Sequence, residues 1–181
     1  SKTVPTEFVS MLAAMDQEQQ ALCDSIYIGM NFGELFHASH EAVGRVILDH
    51  GLLNGVTLEE VIDKGLTHVF YPHGVSHMLG IHVHDVGSKQ LDLAGTMYEK
   101  DEKQPTKTTM RAIEAGHLFT VEPGLYFIEM LLDKERQGQH KDLFNWELID
   151  RMIPLGGIRI EDNIYVTHDG IKNITREYHP E

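Results

Sequence analysis

One cysteine, Cys23, stands among the 181 residues, so an internal disulfide framework is impossible and a reducing, cytoplasmic setting is expected. Positive charge is scarce as well. Fifteen Lys and Arg against 28 Asp and Glu leave a formal charge of −13, which argues against a nucleic-acid or anionic-membrane surface. No stretch approaches the roughly eighteen consecutive apolar residues of a membrane span, and no signal-peptide pattern opens the chain. A GxSxG elbow is missing, and Cys23 lies on an apolar helix face without a matched His and Asn, so a serine or cysteine nucleophile is a poor reading. What is present is enough apolar material, 41% of residues, to bury one core of ordinary domain size. A small peptide or other neutral ligand suits such a chain.

Against that background Pro72 to Gly87, PHGVSHMLGIHVHDVG, is conspicuous. Four histidines, His73, His77, His82 and His84, are followed at once by Asp85. Imidazole binds metals and moves protons near neutral pH, and Gly74 and Gly80 allow sharp turns close to a ligand. Such density is poorly explained by structural histidines alone. Two acids occur in matching strand contexts: Glu122 in HLFTVEPGLYF and Glu161 in GGIRIEDNIYVT. A carboxylate at an otherwise apolar position must be protonated, paired or metal-bound.

The rest of the chain reads as framework. Apolar spacing predicts a helix from Pro5 to about Ile28 with Phe8, Met11, Leu12, Met15, Leu22, Cys23 and Ile26 inward and a solvated Asp16 to Gln20. A second helix is predicted from Gly33 to His50, carrying His37, His40 and His50 as surface or boundary residues. Thr57 and Glu60 spell a capping box for a short third helix. Two short strands are expected around the histidines, then a helical piece from Gln104 to Glu114 before the Glu122 strand. The polar insert from Met130 to Pro154 reads as a surface excursion that packs Phe144 and Trp146 over the rim of a sheet. Strands at Ile158 to Ile160, Asn163 to Thr167 and Ile171 to Ile174 close the chain through an Asp169-Gly170 turn.

The ordered blocks HGVSHMLGIHVHDVG, TVEPGLYF and GIRIEDNIYVT, with a long insert between the last two, resemble the C-terminal catalytic half of the M24 pita-bread metallopeptidases, and within them the bacterial Xaa-Pro dipeptidases (prolidases). The resemblance implies an α+β fold with a curved, mostly antiparallel sheet and helices on its outer face. It implies a single domain over residues 1–181 that lacks its first strands. It implies His77, Glu122 and Glu161 as metal ligands, Glu161 bridging two divalent ions and Glu122 also shuttling a proton. His73 and His84 match residues that contact substrate or the tetrahedral intermediate, and Arg159 an arginine that steadies neighbouring carboxylates. His82 matches a variable position and reads as structural. Manganese is the implied metal, with cobalt, iron or zinc compatible with the same donors. The implied reaction is hydrolysis of Xaa-Pro dipeptides by a metal-bound hydroxide. A homodimer is compatible with this reading.

The departure from the family pattern is also specific. Two aspartate ligands belong to a strand pair ahead of the first helix, whereas Asp16, Asp24, Asp49 and Asp63 all fall on or beside helices. The expectation is therefore a fragment whose partner is the missing N-terminal part of the same polypeptide, inactive alone. An aminopeptidase of the same fold acting on longer peptides, and a non-catalytic pita-bread binding module, are the alternatives.

Overall fold

The computed structural model describes residues 4–85, 90–92, 94–97 and 111–179. In chain order the elements are helices α1 (Thr6–Asp24), α2 (Phe32–Asp49), α3 (Leu58–Asp63) and α4 (Thr67–Phe70), then strands β1 (Leu118–Val121) and β2 (Gly124–Tyr126). Helices α5 (Glu129–Arg136) and α6 (Trp146–Met152) follow, accompanied by 3-10 turns at Lys141–Leu143 and Ile153–Leu155. Strands β3 (Gly157–Arg159), β4 (Asp162–Thr167) and β5 (Gly170–Asn173) and helix α7 (Ile174–Tyr178) complete the chain. None of the described helices is long and apolar enough to cross a membrane.

Two compact units share these elements: Ser1–Glu18, His40–Pro72 and Gly124–Ile160 form one, and Gln19–Ser39, His73–Pro123 and Glu161–Glu181 the other. In the first, β2 and β3 pair antiparallel, and Met11, Met15, Val43, Ile47, Phe70, Leu125, Leu132, Ile149 and Met152 are fully buried. Each large apolar side chain so buried contributes about 2 kcal/mol. Thr57 and Glu60 make the reciprocal capping box, the Glu60 amide donating to Thr57 Oγ1 at 3.3 Å and the Thr57 amide to Glu60 Oε2 at 2.9 Å.

The insert from Met130 to Pro154 corrects the expectation of a surface excursion. Its helices present Leu132, Ile149 and Met152 to the core of this unit, because their apolar residues repeat at helical spacing. Phe144 stacks on Phe70 at 5.9 Å and on Trp146 at 4.9 Å, not on a sheet rim. Backbone bonds stitch it to the loop after α2: the Asn54 amide donates to the Leu143 carbonyl at 2.8 Å, and that of Asn145 to the Leu52 carbonyl at 3.0 Å. His40 is likewise no surface histidine. It is 4% exposed, with Nδ1 2.8 Å from Thr67 Oγ1 and its ring 4.4 Å from that of His68.

In the second unit β1, β4 and β5 form an antiparallel sheet in the order β1-β4-β5. The alternation of β4, with Asp162, Ile164 and Val166 buried and Asn163 and Tyr165 exposed, gives it one inner and one outer face. Beside the other edge of β1 runs Val75 to Leu79. The Leu79 amide donates to the Leu118 carbonyl at 2.9 Å, that of Thr120 to His77 at 3.0 Å and that of Glu122 to Val75 at 2.8 Å.

Among the described residues one extended run stands where two strands were expected; the residues after it turn back, the Asp85 amide donating to the Met78 carbonyl at 3.0 Å. The helical piece expected from Gln104 to Glu114 lies outside the described residues up to 110, and Arg111 to Glu114 is not helical, Ala112 forming a β-bridge with Asn31. Helix α1 stops at Asp24, short of Ile28. Gln19, expected in solvent, is fully buried, since it falls four residues after Met15 and four before Cys23 on the inward stripe, while Leu12 is 44% exposed.

Candidate metal and peptidase site

The second unit assembles the site from a strand end and its neighbours. His77 lies opposite Thr120 on β1, and Glu122 follows β1 directly. His77 Nδ1 sits 3.1 Å from the Met78 carbonyl, which can only accept, so the ring is held with its proton on Nδ1 and the Nε2 lone pair turned outward. That nitrogen lies 3.4 Å from Glu122 Oε1. Two acceptors at this separation need a proton or cation between them.

Thr120 ties the pair together, accepting the His77 amide at 3.1 Å and donating its hydroxyl to Glu122 Oε1 at 3.1 Å. Glu122 is 8% exposed, in the setting where an ionic partner matters most. The His84 ring packs 4.2 Å from that of His77. Gly80 makes the turn to His84 possible: a Cβ there would lie 1.7 Å from Asp85 Oδ2, and that same oxygen accepts the Ile81 amide at 3.0 Å. His82 Nδ1 is 3.8 Å from Asp85 Oδ1.

The anticipated residues thus separate. His77, His84 and Glu122 come together, and His73 lies on the same segment with Nδ1 2.7 Å from the Gly74 carbonyl. Glu161 is solvent-exposed and immediately precedes β4, whose first residue, Asp162, pairs with Val121. Among the described residues no three His, Cys, Asp or Glu side chains converge as a metal cage. Arg159 belongs to the other unit, where its Nε donates to the Tyr126 hydroxyl and its guanidinium carbon lies 5.6 Å from the ring centre. Tyr126 lies flat across Gly124 and Gly157: a Cβ at either would come within 2.7 Å of its ring.

Thr120, Tyr126, Gln19, Asp162 and Arg176 were not singled out in the sequence. Asp162 could have been found from the period-2 alternation, which puts it on the same face as Ile164 and Val166. Thr120 could have been found as the polar residue of an otherwise apolar strand two positions before Glu122.

The family model for metallopeptidase family M24 matches residues 3–168. The chain belongs to that family. The Xaa-Pro dipeptidase of Shewanella frigidimarina is 39% identical over 171 residues, 94% of this chain and 38% of that protein. Xaa-Pro dipeptidase 2 of Idiomarina loihiensis is 40% identical over 172 residues, again 94% of this chain and 38% of the relative. The chain therefore spans well under half the length of these M24 relatives. Among solved structures, Pseudomonas aeruginosa aminopeptidase PepP matches 95% of this chain and 32% of its own, with 25% identity and a TM-score of 0.66. The pita-bread architecture of M24 enzymes is the fold of this chain, α+β with antiparallel sheets.

An imidazole and a carboxylate are donors that suit a divalent first-row ion. His77 and Glu122 are such a pair, placed side by side.

Proposed function

We propose that this chain forms the catalytic part of a metal-dependent Xaa-Pro dipeptidase, with His77, Glu122 and Glu161 as protein ligands to a site for two divalent ions, manganese first among them. The observation that carries the reading is the His77 to Glu122 contact of 3.4 Å at the end of β1, with Glu161 just before the strand paired to it. When bound, the metal supplies a Lewis acid that activates water and polarises the scissile carbonyl.

The remaining roles belong to the chain. Glu122, with Thr120 holding one oxygen, takes the proton of the attacking water and returns it to the leaving proline nitrogen. His84, beside His77, donates to the oxygen that gains charge as the carbonyl becomes tetrahedral, and His73 lines the substrate's approach. Arg159 keeps the positioning role that the family resemblance implies, and its orientation is set by Tyr126. The remaining ligands and the N-terminal part of the substrate site come from polypeptide outside this chain.

The likeness to aminopeptidase PepP supports a second reading, cleavage of longer peptides with proline in second position. Identities of 39% and 40% to Xaa-Pro dipeptidases, against 25% to PepP, favour the dipeptidase. Turnover of Ala-Pro against Ala-Pro-Ala-Ala separates the two once the chain is complemented by the segment that precedes this region in its relatives. Faster cleavage of the tetrapeptide would reverse the choice.

A further inference from the structure

The strand ends that carry the two proposed site carboxylates are tied to each other by a polar network centred on buried Asp162 and Gln19. The β1/β4 ladder ends at the pair Val121 and Asp162. Pro123, just past Glu122, has no amide to extend it. Asp162 is 1% exposed, and its Oδ2 accepts from Asn173 Nδ2 at 2.7 Å and from Arg176 Nε at 2.8 Å. Arg176 Nη2 reaches on to Gln19 Oε1 at 3.3 Å, and Gln19 Nε2 donates to the Val121 carbonyl at 3.2 Å. The chain of contacts therefore begins beside Glu161, passes through α7 and α1, and ends at the residue before Glu122.

Helix α7 is itself locked to this point. Asn173 Oδ1 accepts the Arg176 amide at 3.1 Å, and Thr175 Oγ1 accepts the Asn163 amide at 2.8 Å. An ion pair buried on its Asp162 side and partly exposed at Arg176 is a poor source of stability, since apolar replacements of like volume often serve as well. Its value lies in fixing position: a two-pronged guanidinium contacting one carboxylate and one amide admits little slack.

We infer that Gln19, Asp162 and Arg176 are positioning residues that set the separation of Glu122 and Glu161, making α7 part of the frame of the metal site. This rests on the proposal that both glutamates are ligands. None of the three touches the metal.

The test is titration with Mn2+ of the chain complemented by the segment that precedes this region in its relatives, counting the free ion by its electron paramagnetic resonance signal, in the parent, Glu161→Gln, Arg176→Gln, Arg176→Lys and Gln19→Met. Thermal unfolding with and without Mn2+ accompanies each. Glu161→Gln weakens binding at least tenfold if the ligand assignment holds. Arg176→Gln and Gln19→Met weaken it about tenfold, as loss of supporting contacts around a metal typically does, and Arg176→Lys recovers part of the loss. The Mn2+-induced rise in unfolding midpoint shrinks in parallel. A purely structural Arg176 would lower the metal-free midpoint and leave both affinity and Mn2+-induced rise as in the parent, overturning the inference while the ligand assignment stands. Parent-like affinity in Glu161→Gln, or a parent that binds no Mn2+, overturns the assignment and the inference with it. If Arg176→Gln fails to fold, Gln19→Met, which keeps volume and the Asp162 to Arg176 pair, decides between the same outcomes.

Discussion

Glu122 and Glu161 flank the same rung: one follows Val121, the other precedes Asp162, and those two residues are paired across β1 and β4. Two glutamates brought to one end of a ladder repel unless a cation joins them. Glu161→Gln in the complemented enzyme should accordingly lower Ala-Pro hydrolysis by orders of magnitude with the far-ultraviolet circular dichroism unchanged. Activity within a few-fold of the parent would remove Glu161 from the site.

His84 should behave differently from His77. Its ring lies 4.2 Å from that of His77 and it is solvent-exposed, suited to meet substrate. His84→Ala should cut turnover about a hundredfold, the loss of a general acid-base or oxyanion contact, with metal content retained. Metal analysis of the purified variant checks this, and metal loss would make His84 a ligand.

The chain by itself should bind Mn2+ weakly, at less than one ion per molecule, and should not cleave Ala-Pro. Supplying in trans the segment that precedes this region in the Shewanella or Idiomarina relatives should restore cleavage. Two tightly bound ions and turnover in the chain alone would mean that carboxylates now on helices serve as ligands.

Burial, with Asp162 and Asp24 nearby, pushes the Cys23 thiol up to about 12. At pH 8 it should stay unmodified by Ellman's reagent for as long as the fold persists and react stoichiometrically in denaturant. Fast reaction in the native protein would contradict a buried first-helix thiol.

His117 gives a pH dependence. Burial is the main cause that lowers its pKa from the usual histidine value, the Arg111 charge adds to this and Glu114 opposes it. Its Nδ1 also accepts the Glu114 amide at 3.2 Å, a bond that protonation of that nitrogen would break. With the folded pKa below the unfolded one, the unfolded state binds more protons between the two values. Stability from this group is therefore complete above about pH 6.5 and falls as pH drops through that window. His117→Gln should flatten that part of the stability curve in urea titrations between pH 5 and 7. An unchanged acid slope would show that His117 does not contribute it.

Helix spacing and turn chemistry were legible in the sequence where local rules decide the outcome. The Thr57 capping box, the span of α2 and the β4-β5 hairpin all formed as expected, because caps, 3.6-residue stripes and Asp-Gly turns act over a few residues. Gln19 was misread because its burial depends on an Arg more than 150 residues away, |i−j| = 157, and on the Val121 carbonyl. The insert differs from expectation for a related reason: its charge conceals Leu132, Ile149 and Met152, which are fully buried. At the site, residue types announced the chemistry, yet which of them meet was set by strand register, and His77 and Glu122 pair only because Val75 to Leu79 lies along β1.

Trp146, stacked on Phe144 with the Arg136 guanidinium 4.2 Å above its ring, is the sole indole of the chain and belongs to the first unit. Its fluorescence is consequently a reporter of the insert, whose docking changes the emission. Paired with the loss of Cys23 reactivity toward Ellman's reagent, in the other unit, it lets the folding of the two halves be timed separately.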